Sequence, residues 1–255
     1  MKDVIFSRKS CRSYEDTPLD PALISEALEG LTPLFPEIRT EFSVLEKSSV
    51  RSVCKFIPNQ LIAAYSEVKE GYLENIGFLL QQVDLRLQKR GIGVCWIGLG
   101  KPTVADPEDK EFVIFLAVGN PACDIKREKE EFSRKSMAEI SDLPDPRLEP
   151  ARFAPSAINS QPWYFTHDGD TIHVYRTTNI LKKSFPLGRL NQTDIGIALS
   201  HLFVSNPDTF RFFLTDAPKK RGYLYGRSDC NRRWSTEFIT HSLSNAKRAK
   251  QYFLL

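Results

Sequence analysis

Residues 154–163 read Ala154-Pro-Ser-Ala-Ile-Asn-Ser-Gln-Pro-Trp163. Two prolines in ten residues stiffen a loop, so its polar groups are held in place at low entropic cost. Ser156 and Asn159 both donate and accept hydrogen bonds, a set that suits the mixed edge of a flavin or a nucleobase. The same residues also suit a tight turn ahead of a strand, with Trp163 in the core.

On the C-terminal side, a strand is expected near Ile172–Tyr175, a helix near Asp194–Val204 and a strand near Phe210–Leu214. Beyond Arg227 the chain is basic and weakly patterned, and its end is expected to form an amphipathic helix packed on the other lobe. On the N-terminal side lies a charged, proline-bearing run at 124–150, read as a crossing between lobes. Before it, Phe112–Val118 reads as a central strand and Val94–Gly100 as an apolar turn. Residues 71–90 hold the clearest helix: Ile76, Leu79, Leu80, Val83 and Leu87 form an apolar stripe, while Glu74, Gln81, Asp84 and Gln88 face elsewhere. Gln60–Tyr65 reads as a buried strand. Asp20-Pro21 opens a helix whose end is expected at Pro33 and Pro36.

Near the start, Arg8, Ser10 and Arg12 alternate. In an extended segment they point to one side, where two guanidinium forks and a hydroxyl suit a phosphate dianion. Trp96-Ile-Gly-Leu-Gly100 offers glycines that let backbone amides approach a planar ligand; it also suits a plain turn over a buried Trp. Phe-Ser-Arg-Lys-Ser occurs at 6–10 and again at 132–136, and Ile76-Gly77 is echoed by Ile195-Gly196, at unequal offsets that leave chance and duplication both open.

With 255 residues, 41% hydrophobic and 26% charged, the chain has the balance of a globular protein. Five scattered cysteines without a C-x-x-C pair argue against a disulfide framework or a zinc or iron–sulfur centre, and four histidines lack ligand spacing, so no metal is expected. A net charge of +3 is too small for a nucleic-acid binder. No apolar run reaches the ~20 residues of a membrane span, and no secretory leader is read at the start. A cytoplasmic location is the expectation.

Together these pieces resemble the FMN-dependent nitroreductase family. Ser7-Arg-Lys-Ser-Cys-Arg-Ser-Tyr14 is similar to its R-x-S-x-R phosphate-binding start, and residues 154–163 to its Ala-Pro-Ser-x-x-Asn-x-Gln-Pro-Trp signature. Gly91-Ile-Gly-Val-Cys-Trp-Ile-Gly98 is similar to its glycine turn. Val118-Gly-Asn-Pro121 with Arg134-Lys-Ser-Met resembles its C-terminal segment. The order departs from the ordinary family. Where the first half should carry the Asn loop it has Gly30-Leu-Thr-Pro-Leu-Phe-Pro-Glu-Ile38, and the second half has Ser205-Asn-Pro-Asp-Thr-Phe210 in place of the Cys-Trp turn.

The resemblance therefore implies the fused pseudo-dimer subgroup: an α+β fold with a mostly antiparallel, helix-flanked sheet in each lobe. Lobes of 1–142 and 143–255 are expected, with one surviving site between them. It implies FMN held through Arg8, Lys9, Ser10 and Arg12, with Arg134 as a further phosphate partner. Pro155, Ser156 and Asn159 would cover the ring from the other lobe, and the backbone at Gly98, Leu99 and Gly100 would lie at its reactive edge. Hydride would pass from NADH or NADPH through the flavin to a small electron-poor acceptor, a nitroaromatic or quinone, with no dedicated side-chain acid or base. Another reductive task on the same fold, a non-catalytic or degenerate FMN binder, and a plain α+β binding protein are the alternatives. Internal pairing makes a monomer sufficient to build the site, with a homo-oligomer as the other option.

Overall fold

The structure is a computed structural model that describes residues 1–177 and 187–214, and the backbone of 234–238. A first helical turn, α1 (Lys2–Ile5), leads into an extended segment and then α2 (Pro21–Leu28). The Asp20 carboxylate accepts from the Ala22 amide at 2.9 Å and Pro21 occupies the first turn, as expected of that pair. The helix stops at Leu28, short of Pro33, where Gly30 turns the chain with φ +57°.

The first half continues through β1 (Thr40–Glu46), β2 (Val50–Ser52), β3 (Gln60–Ser66), α3 (Tyr72–Lys89), β4 (Gly93–Ile97), β5 (Gly100–Pro102) and β6 (Glu111–Gly119). Four of these strands form an antiparallel sheet in the order β1-β3-β6-β4. The expected apolar turn at Val94–Gly100 is instead mostly strand. Val94 pairs with Val118 and Trp96 with Leu116, so this near-continuous apolar run is covered on both faces.

The crossing segment holds α4 (Met137–Ile140), started by a reciprocal Ser136–Glu139 cap, and α5 (Glu149–Arg152). Then come β7 (Trp163–Asp168), β8 (Thr171–Arg176), α6 (Leu187–Ser205), β9 (Phe210–Leu214) and β10 (Trp234–Phe238). The second sheet is again antiparallel, in the order β7-β8-β10-β9. Trp163 is both core, as one alternative had it, and the first residue of a strand. The expected C-terminal helix lies outside the described residues.

The two halves repeat one topology. Two strands precede a long helix, a third strand follows it at the sheet edge, and a fourth returns beside the second. The helices α3 and α6 pack against each other as the central seam of the molecule. A methyl at Gly77 would strike the carbonyl oxygen of Thr193, and one at Gly196 would strike that of Glu74. Each glycine meets the residue three positions before the other, the reciprocal contact of a two-fold interface. The Ile-Gly echo is thus the crossing point of an internal pseudo-dimer.

That crossing also decides where the polar positions of α3 go. Glu74, Gln81, Asp84 and Gln88 do not face water; all are buried. A helix covered by its own sheet on one side and by a second helix on another has no solvent face to spare. The halves interlock further: Leu34, Phe35 and Ile38 pack in the same cluster as Ile172, Val174 and Phe210 of the second sheet. Among the described residues no helix is long and apolar enough to cross a membrane.

Candidate functional site

The segment from Ser7 to Glu15 lies in a backbone seam with residues 120–127. Lys9 N donates to Ile125 O at 2.8 Å and Arg127 N to Ser7 O at 2.9 Å, while Cys11 N reaches Val94 O of β4 at 2.9 Å. Wedged there, Arg8 is buried and pairs with Asp84 of α3 at 3.2 Å. Asp84 also accepts from Trp96 Nε1 at 3.2 Å and from Gln88. One buried carboxylate therefore ties the N-terminal segment, α3 and β4 together.

The alternation of Arg8, Ser10 and Arg12 is only partly realised as one surface. Arg8 Nη2 approaches Ser10 Oγ at 3.5 Å. Arg12 is exposed, with its guanidinium 5.8 Å from the Phe56 ring, and lines a groove of about 360 Å³ with Tyr14 and Phe56. Lys9 is exposed.

Arg134 is the second centre. Its Nη1 donates to Asn159 Oδ1 at 2.7 Å and to Ser133 O at 3.2 Å, and Nη2 donates to Phe153 O at 3.3 Å. All of these acceptors are neutral. The Asn159 amide donates in turn to Ser133 O at 2.8 Å, so both ends of that side chain are spent on holding the arginine segment.

The loop that presents Asn159 is strained. Ile158, Asn159 and Gln161 have φ of 48°, 54° and 45°, a conformation that is a genuine outlier for β-branched Ile158. One of its restraints is local and two come from other segments. Gln161 N donates to Ser156 Oγ at 2.9 Å, Lys135 N to Gln161 Oε1 at 2.8 Å, and Ala157 N to buried Asp194 of α6 at 3.0 Å. Ser156 thus serves the turn itself, and Pro155 is partly buried beside it. In the first half, Asn75 accepts from Leu34 N and Phe35 N at 2.8 and 3.0 Å. Asn75 and Asp194 stand two residues before the two crossing glycines, so both halves hang their loop from the same helical position.

Electrostatics bring these centres together. Arg134 is pushed down to about 10 by burial and by the guanidiniums of Arg127, Arg8 and Arg152. Arg127 is lowered by burial and by Arg8; it donates from Nε to Arg8 O at 3.1 Å and lies 3.8 Å over the Phe132 ring. His201, fully buried behind them, is pushed down to about 3, chiefly by burial and further by Arg8 and Arg134. Within this desolvated cationic region Nε and Nη1 of Arg8 and Nε of Arg134 are buried without a hydrogen-bond partner among the described residues. Such donors cost about 1–3 kcal/mol apiece unless an acceptor is supplied, and a tetrahedral oxyanion supplies several at once.

Gly98 faces Leu190 of α6, since a methyl there would come within 2.8 Å of that side chain; the glycine turn thus abuts the second lobe. Leu99 is half-exposed and its carbonyl accepts from Ser52 Oγ at 2.5 Å. Gly100 pairs with Ser52 in the small β2–β5 ribbon. The turn connects to Arg8 through Trp96 and Asp84.

Sequence reading missed Asp84, Arg127 and Asp194, and it gave no role to Gln161, a named letter of the loop signature. Arg127 stands among other Lys and Arg residues with nothing local to single it out, and Asp84 reads as an ordinary polar helix position.

Residues 1–206 match the family model described as "Putative TM nitroreductase". Among solved structures, a nitroreductase of Thermotoga maritima, itself described as putative, aligns over 93% of each chain at 18% identity with a TM-score of 0.59, a likeness of fold. An FMN-dependent nitroreductase from Clostridium difficile R20291 aligns over 52% of this chain and 96% of its own, at 13% identity and a TM-score of 0.41. An iodotyrosine deiodinase, bound to FMN and 3-iodo-L-tyrosine, aligns over 53% and 96%, at 16% identity and a TM-score of 0.39. No curated protein matches the chain.

Proposed function

The chain belongs to the putative TM nitroreductase family, and from that premise we propose that it is an FMN-dependent oxidoreductase. It would carry hydride from NADH or NADPH to an electron-poor small molecule such as a nitroaromatic or a quinone. One observation supports this reading above the others. The unpartnered N–H groups of Arg8 and Arg134 are buried in a region of converging guanidiniums, which fits the phosphate end of a flavin nucleotide.

Arg8, Ser10 and Arg134 would hold the phosphate, with Arg127 added to the set and Lys9 and Arg12 at its exposed side. Asn159 acts by positioning Arg134, with Pro155 and Ser156 stiffening the loop behind it. The backbone at 98–100, pressed against Leu190, would border the ring. FMN, when bound, supplies the two-electron chemistry, and the protein supplies its binding, orientation and electrostatic setting. Converging positive charge beside the cofactor favours negative charge on it.

Purified protein should show flavin absorbance, or gain it on titration with FMN, and should oxidise NADH or NADPH with a quinone or nitroaromatic acceptor faster than free FMN does. Arg134→Ala should weaken FMN binding roughly 10- to 100-fold, the worth of one or two charge-assisted hydrogen bonds. Asn159→Ala should weaken it by less, about 3- to 10-fold, because the guanidinium stays but loses its guide. A protein that binds FMN but does not speed nicotinamide oxidation would leave only the binding half of the proposal. If it bound no FMN at all, neither half would stand.

A further inference from the structure

We propose that Cys11 and Cys123 form a reversible dithiol–disulfide pair, a site of oxidative modification that takes hydrogen peroxide as its oxidant. Their sulfurs stand 3.8 Å apart, and both lie near the carbonyl of Ser13, at 3.0 and 3.9 Å. The backbone holds them face to face. On one side of the pair run the Lys9–Ile125 and Arg127–Ser7 hydrogen bonds, and on the other Ala122 N to Ser13 O at 3.0 Å and Glu15 N to Asn120 O at 2.9 Å. A disulfide asks the sulfurs to close to about 2.05 Å, a movement of less than about 2 Å between two antiparallel segments already in register.

The pair is asymmetric in the way two-step oxidation requires. Cys123 is exposed and Cys11 is fully buried. Burial pushes the Cys11 thiol up to about 11, so it is a poor target for a soluble oxidant. Cys123 meets the oxidant first. Its thiolate attacks one peroxide oxygen, the O–O bond breaks, and the departing hydroxide takes a proton to leave as water, giving a Cys123 sulfenic acid. Cys11 sulfur then attacks Cys123 sulfur. The S–O bond breaks, hydroxide leaves with the Cys11 proton as a second water, and the two thiols have lost two electrons to one peroxide. A dithiol reductant reverses the step.

The location gives the modification a consequence. Cys11 lies between Ser10 and Arg12, and Cys123 stands on the strand-like segment that carries Arg127. The crosslink would staple together the two segments that bring Arg8 and Arg127 into one cluster. Nothing in this chemistry depends on which cofactor the cluster holds.

The test uses the full chain, reduced, freed of reductant and treated with a few equivalents of hydrogen peroxide, then quenched, alkylated in denaturant and mapped by mass spectrometry without reduction. The expected result is one crosslinked peptide joining Cys11 to Cys123, lost on dithiothreitol, with an unfolding midpoint several degrees higher than that of the reduced protein. Cys11→Ser should accumulate the Cys123 sulfenic acid, trapped by dimedone. Cys123→Ser, a change at an exposed position, should leave Cys11 alkylatable after the same dose. Two findings would overturn the proposal: wild type in which Cys123 runs on to sulfinic acid while Cys11 stays free, or Cys11 linked to any other cysteine.

Discussion

At Asp84 a single carboxylate receives Arg8, Gln88 and Trp96 in the dry interior, so the first phosphate-binding candidate is held by a residue with no role of its own toward a ligand. His201 gives the residue scale its clearest test. Its Nδ1–H donates to Pro150 O at 2.9 Å, while Nε2 is buried without a partner among the described residues. Its folded value of about 3 lies below the ordinary ~6.5 of the unfolded chain. Below pH 6.5 the unfolded state therefore binds a proton that the folded state refuses. Stability contributed by the neutral ring is complete above about pH 6.5 and is lost as pH falls toward 3, at up to about 1.4 kcal/mol per pH unit. Urea unfolding at pH 7, 6 and 5 should show this fall. His201→Asn, which keeps a donor toward Pro150, should flatten it; an unchanged slope would assign the pH dependence to other groups. Arg8, Ser10 and Asn159 could be named as candidates because short-range spacing and the loop signature single them out, and Arg134 only through the resemblance. Asp84 and Asp194 could not, because what makes each matter is a partner from a distant part of the chain.

Among the elements, α3 and α6 decide the most. Gly→Ala in an ordinary helix stabilises by roughly 1 kcal/mol. At Gly77 and Gly196 the sign should reverse, because the added methyl meets backbone of the opposite helix rather than space. Either substitution should cost about 1–3 kcal/mol or more, read as a lower urea midpoint; a raised midpoint would show that the helices part easily. Most elements of the first sheet were readable from apolar runs, including β3 and β6. β1 was not: the alternation in Glu41-Phe42-Ser43-Val44 is broken by Leu45, and none of its residues is fully buried. β4 was taken for a turn because glycines flank it and its partner strand lies elsewhere in the chain.

For the whole molecule, the shared helix seam and the insertion of Leu34, Phe35 and Ile38 into the second core make each half part of the other's interior. Unfolding should therefore be one transition although the chain exceeds the usual two-state size. Variants keeping only Trp96 or only Trp163, one reporter in each half, should show coincident midpoints by fluorescence and with far-ultraviolet circular dichroism. Separated midpoints would mean that the halves are independent.

What the sequence by itself determined is what short segments encode: the Asn-loop signature, the arginine start, the capped and periodic helices, and through them the family and its doubled architecture. Those signals are local, carried by residues within a turn or two of each other. The tertiary structure alone decided which arginines meet, which carboxylate neutralises Arg8, that the polar face of α3 is buried, and that Cys11 faces Cys123. Each of these is a contact between segments far apart in the chain. Such contacts are set by how faces and sheets pack against one another, and no stretch of the sequence contains both partners.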